Sequence, residues 1–274
     1  MPASPKVSII MGVYNCENTL HEAIDSILNQ TFQDWEFIIC DDGSSDRSVE
    51  ILQHYAQRYP EKFVLLKNDS NRGLNETLNT CLSCARGKYV ARMDGDDTCP
   101  PDRLEREYQF LESHEEYAFV SGFMSLFDES GVWGVVKHKE CPSKEDLIKH
   151  SPCFCHAPCM VLRNAYLDVG GYTVDRRLLR YEDCNLWCKL YGHGYLGYNI
   201  QDVIYSMRDD HNAYRRRTFA SRMQAVYVAY VDMKELHASY GYYLLLIPKF
   251  FTNLAKAVVP EWIYMAIHRR RLQK

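Results

Sequence analysis

The sequence predicts an α/β protein with a doubly wound, mainly parallel sheet, and two observations carry this prediction. In the N-terminal part of the chain, short apolar runs of strand length alternate with stretches whose apolar residues recur at helical spacing. The apolar runs are nearly continuous, which is typical of parallel strands buried on both faces. A regular β-α-β-α order of this kind places helices on both sides of one parallel sheet.

The predicted elements of the N-terminal half follow this alternation. The apolar runs that form its strands are residues 7–13, 36–40, 63–66 and 88–93. The first helix is predicted to begin at Asn15, and its inner face is formed by Leu20, Ala23, Ile24, Ile27 and Leu28. The second helix is capped by Ser45 or Asp46 and ends near residue 58, and the third covers residues 74–85.

The second half begins at Pro100-Pro101, a favourable start for a helix over residues 102–113. Strands are predicted at residues 119–127, 133–136 and 160–162, and a helix at 183–191 that Gly192 ends. Residues 141–180 otherwise show no clear periodicity. A last amphipathic helix is predicted over residues 247–258, with its apolar face formed by Ile247, Phe250, Phe251, Leu254 and Val258.

The charge of the chain is distributed unevenly. Its formal net charge is −4, but residues 213–274 carry 11 basic and 3 acidic side chains, whereas residues 1–212 carry 21 and 33. A basic tail behind an acidic body indicates an anionic partner, such as phosphate or an anionic membrane surface, or else a solvated basic helix. No nucleic acid partner is expected.

The sequence shows no targeting or membrane-spanning segment. Residues 1–6 lack the apolar core and cleavage site of a signal peptide, and no run of 18 uncharged apolar residues occurs. We therefore expect a cytoplasmic protein whose eleven cysteines are reduced. The group Cys153, Cys155, His156 and Cys159 lacks a second ligand pair at zinc-finger spacing, so we interpret these thiols as buried apolar side chains.

The most informative motif is Asp94-Gly95-Asp96-Asp97, which directly follows the strand predicted at 88–93. Three carboxylates in four residues repel one another unless a cation lies among them, and such oxygen-rich groups suit Mg²⁺ or Mn²⁺ shared with a phosphate. An acidic turn on a solvated surface is the simpler alternative. The motif stands at the carboxyl end of a strand, the edge where open α/β sheets bind ligands. The absence of G-x-G-x-x-G after the first strand disfavours a dinucleotide-dependent dehydrogenase.

Further motifs stand in a fixed order before this one. They are the first strand with Tyr14-Asn15, the run Asp41-Asp42-Gly43-Ser44-Ser45-Asp46, and Asn71-Arg72-Gly73 with Asn79 behind it. Together with the acidic motif they resemble the family-two inverting glycosyltransferases of the GT-A fold. Gly170-Gly171-Tyr172 and Glu182-Asp183 resemble later landmarks of that family. Arg208 and His211 stand where many members have an R-x-H element, with one additional residue between them.

The resemblance implies a GT-A, Rossmann-like nucleotide-diphospho-sugar transferase fold with a C-terminal helical extension. Its donor site for a UDP-sugar is implied to contain Tyr14, Asn15, Glu17, Asp41, Asp42, Arg72, Asp94, Gly95 and Arg208. Asp41 or Asp42 would bind the uracil, and Arg72 would approach the base or a phosphate. Tyr14 either packs on the nucleotide or is a tyrosine at the edge of the core.

A divalent ion, Mn²⁺ or Mg²⁺, is implied at Asp94, Asp96 and His211, where it would stabilise the leaving diphosphate. The resemblance also implies Asp183 as the general base that accepts the proton of the acceptor hydroxyl. The alternative is that Glu182 and Asp183 only stabilise the first turn of a helix, and both roles are compatible. Direct displacement would invert the anomeric centre.

The predicted organisation is a catalytic domain over residues 1–212 and a basic amphipathic tail over residues 213–274. Residues 1–99 would bind the nucleotide sugar and residues 100–212 the acceptor. A basic amphipathic segment with tryptophan and tyrosine favours a membrane interface, and packing against the catalytic domain or a second subunit is the alternative. With the resemblance, the tail implies a polyprenyl-diphosphate-linked saccharide acceptor at the inner face of the cytoplasmic membrane, in bacterial surface polysaccharide synthesis.

Two other functions are compatible with parts of the pattern. A sugar-nucleotide pyrophosphorylase shares a Rossmann-like core, but it needs a basic glycine-rich loop where this chain has Gly12-Val13-Tyr14-Asn15. A non-catalytic scaffold that binds nucleotide sugars or membranes would not need Asp94, Asp96 and Asp183 together.

Overall fold

The protein has an α/β fold in which one mixed sheet carries helices on both faces. The structure is a computed structural model that describes residues 4–178, 180–209 and 219–258, except for the side chains of 219–223 and 255–258. In this part of the chain the sheet has eight strands. The α/β class predicted from the alternation of apolar runs and helical stretches is thereby confirmed.

The strands and helices have the following bounds. The strands are β1 (Val7–Val13), β2 (Trp35–Asp41), β3 (Phe63–Lys67), β4 (Tyr89–Arg92), β5 (Phe119–Asp128), β6 (Gly131–Val136), β7 (Met160–Leu162) and β8 (Gly197–Arg208). The helices are α1 (Leu20–Leu28), α2 (Ser48–Arg58), α3 (Leu74–Cys84), α4 (Arg103–Ser113), α5 (Lys144–His150), α6 (Arg163–Asp168), α7 (Glu182–Gly192), α8 (Phe219–Glu235) and α9 (Leu246–Val258). Short 3₁₀ turns cover Arg176–Leu178 and Tyr240–Leu245.

The sheet is parallel in its first half and mixed in its second. Its order is β3-β2-β1-β4-β7-β5-β6, and β8 pairs with β5. The pairs among β1, β2, β3 and β4 are all parallel, whereas β7 is antiparallel to both β4 and β5. The carboxyl ends of β1, β2 and β4 therefore meet at one edge of the sheet, where the predicted site residues follow them.

The two faces of the sheet are covered by separate apolar cores. In β1, Ile9 and Met11 belong to the core that also contains Leu20 and Ile24 of α1. Ile10 points to the other face and joins a core that contains Leu78 of α3 and Trp187 of α7. Because both faces of β1 are buried, the strand reads as a continuous apolar run, which is why the sequence indicated it so clearly.

Most predicted elements are confirmed within a few residues, and the start of the first helix is corrected. Asn15 does not open that helix but adopts the left-handed conformation, with φ of 55°, and α1 begins only at Leu20. Asparagine tolerates this conformation better than most residues, so the chain can turn sharply after β1.

Strand β8 and helix α8 were not predicted. Strand β8 contains Asn199, Gln201 and Asp202 close together, and its pairing with β5 is irregular around Gly122 and Phe123. This irregular pairing interrupts the two-residue alternation of apolar and polar side chains that marks a strand. Helix α8 packs against α7 and the 3₁₀ turn at Arg176–Leu178, and it buries Val228, Ala229 and Met233. In the part of the chain that is described, no helix combines the length and the apolar character needed to cross a membrane.

Candidate functional site

The loops after β1 and β2 are bound to each other at the carboxyl edge of the sheet. The Asn15 amide N–H donates to Ser44 Oγ at 3.0 Å, and the Ser45 amide N–H donates to Asn15 Oδ1 at 2.8 Å. Glu17 Oε2 accepts from the backbone N–H and the Nε of Arg47, at 3.1 and 3.3 Å. The predicted donor-site residues Asn15 and Glu17 thus hold the two loops in a fixed relation.

Tyr14 lies at the same edge with its ring outside the core. The residue is 49% exposed, although the strand that precedes it is buried. An aromatic ring held at the mouth of a site is suited to packing against a flat ligand. Of the two interpretations of Tyr14, this position favours a ring available to a nucleotide over one at the edge of the core.

Asp41 and Asp42 are both buried, but their carboxylates differ in the hydrogen bonds they accept. Asp42 is 3% exposed, and its Oδ1 accepts from Asn68 Nδ2 at 2.8 Å and from the Arg72 amide N–H at 2.9 Å. Its Oδ2 accepts from the Gly73 amide N–H at 2.9 Å. The carboxylate of Asp41 has weaker bonds, two of 3.3 Å from the amide of Ser44. Asp42 therefore anchors the loop that leads into α3.

Arg72 extends from this anchored loop toward solvent. Its side chain is partly exposed and pairs with Glu76 one turn along α3, with Nη1 3.2 Å from Oε1. An exposed pair at this spacing contributes only a few tenths of a kcal/mol. The guanidinium can therefore leave Glu76 for an anionic ligand at low cost.

The acidic loop, residues 94–97, separates its three carboxylates. Asp94 forms a bidentate ion pair with Arg92, with Nε–Oδ1 and Nη2–Oδ2 distances of 2.8 and 2.9 Å. Asp96 is exposed, whereas Asp97 is buried. Burial and the charges of Asp94 and Asp96 raise the pKa of Asp97 well above its ordinary value. The ion pair with Arg92 offsets the charge of Asp94, and the raised pKa of Asp97 disfavours its charged form. Both effects reduce the repulsion among the three acids.

Thr19 and Arg208 hold the acidic loop from opposite sides. Thr19 Oγ1 donates to the Gly95 carbonyl at 2.9 Å, and a Cβ on Gly95 would lie 3.3 Å from Cys16 Sγ, which leaves little room for a side chain. On the other side, the Arg208 amide N–H donates to Asp97 Oδ1 at 2.8 Å, and Arg208 Nε donates to the Asp96 carbonyl at 3.1 Å. Strand β8, which was not predicted, therefore positions the predicted residue Arg208.

Arg92 connects the acidic loop to the start of α7. The residue is buried, its Nη1 lies 2.8 Å from His156 Nε2, and His156 Nε2 lies 3.1 Å from the Tyr172 hydroxyl. Burial and the positive charge of Arg92 lower the pKa of His156 well below its ordinary value. The Arg92 guanidinium forms an ion pair with Asp94 and also attracts Glu182 and Asp183 electrostatically.

Asp183 is in the first turn of α7 and is partly buried. Burial raises the pKa of its carboxyl, and a bond from the Cys184 amide and the charge of Arg92 oppose that rise. The residue at the N-cap position is Tyr181, whose side chain makes no capping bond. Stabilising the first turn and accepting a proton remain compatible roles, and a raised pKa favours the second.

The turn Gly170-Gly171-Tyr172 is attached to α3 by a reciprocal pair of hydrogen bonds. Asn79 Nδ2 donates to the Tyr172 carbonyl and the Tyr172 amide N–H donates to Asn79 Oδ1, both at 2.8 Å. Gly171 has a φ of 64°, and a Cβ there would lie 2.5 Å from Asn79 Oδ1. The close approach and the left-handed backbone explain why glycine stands beside this tyrosine.

Arg92, His156 and Arg103 were not recognised from the sequence. Arg103 is fully buried on α4 and donates from Nη2 to the carbonyls of Arg92 and Ala157, at 2.8 and 3.1 Å. One signal in the sequence could have indicated them. Arg92 is a charged residue inside an apolar strand, and a buried charge requires polar partners nearby.

The acidic loop is compatible with a divalent ion shared with a substrate. Among the residues that the structure describes, no three His, Cys, Asp or Glu side chains form a preformed metal cage. Asp94 and Asp96 nevertheless offer exposed or partly exposed carboxylates at the ligand edge, and Mg²⁺ typically needs only one or two carboxylates beside substrate phosphates. The third predicted ligand, His211, lies outside the described residues.

Sequence comparison assigns most of this site to one known family. The profile of Glycosyl transferase family 2 matches residues 8–171. The Bacillus subtilis protein EpsE, named as a glycosyltransferase, is 39% identical over 272 residues, which cover 99% of this chain and 96% of EpsE. TuaG of the same organism, named for teichuronic acid biosynthesis, is 25% identical over 234 residues, which cover 85% of this chain and 90% of TuaG.

Two solved structures share the fold. Residues 1–349 of Staphylococcus aureus TarS in complex with UDP-GlcNAc superpose with a TM-score of 0.69 at 18% identity, over 90% of this chain and 72% of that one. The mannosyltransferase PcManGT of Pyrobaculum calidifontis, in complex with GDP-Man and Mn²⁺, gives a TM-score of 0.64 at 21% identity, over 97% and 80%. The predicted GT-A fold is thereby confirmed.

Proposed function

The chain belongs to glycosyl transferase family 2, and from this premise we propose that it transfers a sugar from a UDP-sugar to a hydroxyl of a saccharide acceptor with inversion. The observation that carries the proposal is the arrangement around Arg92, which contacts Asp94 and attracts Asp183. A donor-side acid and a base with a raised pKa share one neighbourhood, as the attack of a hydroxyl on a nucleotide sugar requires.

The donor would bind at the carboxyl edge of β1, β2 and β4. Tyr14 would pack on the base or ribose, and Asp41 would accept a hydrogen bond from the uracil, because its carboxylate has weaker bonds than that of Asp42. Arg72 would exchange Glu76 for a phosphate or the base. The backbone of the site would be fixed by the contacts of Asn15, Glu17, Asp42, Gly95 and Arg208. UDP is favoured by the resemblance and by the nucleotide sugar that TarS binds.

A divalent ion would be held by Asp94 and Asp96, with Mn²⁺ or Mg²⁺ as the candidates. Such an ion supplies Lewis-acid stabilisation of the negative charge that develops on the leaving diphosphate. The Mn²⁺ present in the PcManGT complex supports this choice. Arg92 would neutralise Asp94 until substrate binds.

Asp183 would act as the general base. Its carboxylate would accept the proton of the acceptor hydroxyl while the hydroxyl oxygen attacks the anomeric carbon from the face opposite the diphosphate. The bond between that carbon and the diphosphate oxygen breaks, and its electron pair leaves with UDP. An α-linked donor therefore gives a β-glycoside, and the proton remains on Asp183 until solvent removes it.

The acceptor would be a polyprenyl-diphosphate-linked saccharide reached at the inner face of the cytoplasmic membrane, in bacterial surface polysaccharide synthesis. The teichuronic acid assignment of TuaG supports this context. Of the predicted apolar face of α9, Ile247, Phe250, Phe251 and Leu254 are exposed, and the 3₁₀ turn before the helix exposes Tyr240 and Leu244. Exposed apolar and aromatic side chains of this kind are suited to a membrane interface.

Thermal stabilisation by ligands tests the donor site directly. We expect UDP and one UDP-sugar to raise the melting temperature only with Mn²⁺ or Mg²⁺, and GDP and dTDP to have little effect. The Asp183→Asn variant should keep this shift and lose transfer. No shift with any nucleotide in a folded sample would contradict the proposal, and full activity of Asp183→Asn would contradict the assignment of the base.

Membrane contact is tested by deleting residues 244–274. This deletion removes α9 and leaves α8 on the catalytic domain. We expect the intact chain, but not the shortened one, to sediment with vesicles that contain anionic lipid. Equal sedimentation of both proteins would contradict a membrane role for this segment.

A further inference from the structure

Helix α8 places a carboxylate, that of Asp232, in the interior of the protein behind α7. The residue is 6% exposed, and its neighbours Val228, Ala229 and Met233 on the same helix are buried with it. Among the side chains that the structure describes, it forms no ion pair within 4.0 Å. Burying a carboxylate is costly, and the apolar packing of α8 does not require one.

A chain of hydrogen bonds leads from Asp232 through α7 to the turn after Gly170 and to α3. Asn185 Nδ2 donates to Asp232 Oδ1 at 3.4 Å, and Thr173 Oγ1 donates to Asn185 Oδ1 at 2.6 Å. Asn75 Nδ2, at the start of α3, donates to the Thr173 carbonyl at 2.9 Å. Lys189 of α7 donates from Nζ to the Gly171 carbonyl at 2.6 Å. These bonds join α3, the turn after Gly170, α7 and α8.

Asp232 determines which way the Asn185 amide faces. In its ionised form Asp232 only accepts hydrogen bonds, so the Asn185 amide then turns its NH₂ toward Asp232 and its oxygen toward the Thr173 hydroxyl. Asn185 is buried and stands two residues after Asp183 in α7. An amide fixed on both sides at this point restrains the first turn of the helix, where Asp183 lies.

We propose that Asp232 is a positioning residue for Asp183 and that helix α8 is therefore a working part of the active site. The proposal rests on the proposed role of Asp183 as the general base. It replaces the predicted boundary at residue 212 with a catalytic unit that includes α8.

The surroundings of Asp232 determine when it becomes charged. Asp183, Cys184 and Cys188 of α7, Lys249 of α9 and Glu235 of its own helix interact with it electrostatically. Burial raises the pKa of Asp232 to about 7. Asp232 is therefore protonated over the lower pH range in which an aspartate ordinarily ionises, and it carries no charge there that could oppose the ionisation of Asp183. Replacing Asp232 by asparagine should accordingly leave the acid limb of the rate where it is.

Two variants of Asp232 separate positioning from charge. Asp232→Leu removes the acceptor. We expect kcat to fall about tenfold or more and the KM for the donor to stay unchanged, because even a small displacement of a catalytic base lowers the rate. Asp232→Asn keeps an acceptor oxygen, so it should retain most of kcat and leave the acid limb unchanged. Glu235→Gln, a partly buried acid on the same helix, is the matched control and should change neither quantity.

The assay is release of UDP from the UDP-sugar that stabilises the protein best, with water as the acceptor. Wild-type kcat in a folded Asp232→Leu protein would overturn the proposal. Should that variant fail to fold, a loss of kcat in Asp232→Asn as large as the one expected for Asp232→Leu would overturn it as well, because Asp232→Asn keeps the acceptor oxygen. Absence of UDP release by the wild type with every UDP-sugar would instead overturn the proposed function.

Discussion

Replacing Asp42 by asparagine tests the structural role of a carboxylate that motif comparison alone assigns to ligand binding. The side chain accepts three hydrogen bonds, from Asn68, Arg72 and Gly73, at 2.8–2.9 Å. An asparagine can keep its oxygen toward two of these donors, but its NH₂ then faces the Gly73 amide. One charge-assisted bond is lost and a buried N–H is left unpaired, which costs about 2–4 kcal/mol of unfolding free energy.

The adjacent acid provides a matched control. Asp41 is as buried as Asp42 but accepts two longer bonds of 3.3 Å from Ser44, so Asp41→Asn should cost less unfolding free energy than Asp42→Asn. For a domain of this size, the loss in Asp42→Asn corresponds to a melting temperature lower by about 5–10 °C. Urea denaturation and thermal melts without nucleotide measure both variants. Equal destabilisation by the two substitutions would refute the assignment of Asp42 as the loop anchor.

Three further predictions concern the acids and the turn that complete the site. Asp96→Ala should abolish the Mn²⁺-dependent part of the UDP shift, and an unchanged metal dependence would place the ligand elsewhere. Because burial raises the pKa of Asp183 and only its carboxylate accepts a proton, kcat should fall with decreasing pH above the ordinary aspartate range, and an acid limb near about 3.9 would contradict this. Asn79→Leu removes both bonds to Tyr172 and should cost about 2–4 kcal/mol in urea denaturation; Thr80→Ala, which loses only a bond within its own helix, is the control and should unfold nearly as the wild type does.

The N-terminal half of the fold could be predicted because its signals are local. Strands such as β1 are buried on both faces and are therefore continuously apolar, and helices such as α1 bury one face and show the helical period. The acidic loop could be recognised for the same reason, since its three carboxylates are neighbours in the chain. Strand β8 could not, because irregular pairing with β5 interrupts its period, and helix α8 has no single apolar stripe.

The sequence by itself determined the α/β class, the family and the candidate acids, since each depends on composition, periodicity or motif order. Only the tertiary structure decided what those acids contact. Asp42 anchors a loop 30 residues away, Asn79 holds a turn 93 residues away, and Asp232 reaches Asn185 across 47 residues. Such contacts depend on how the elements pack, and a hydrogen bond between distant residues leaves no periodic pattern in the chain.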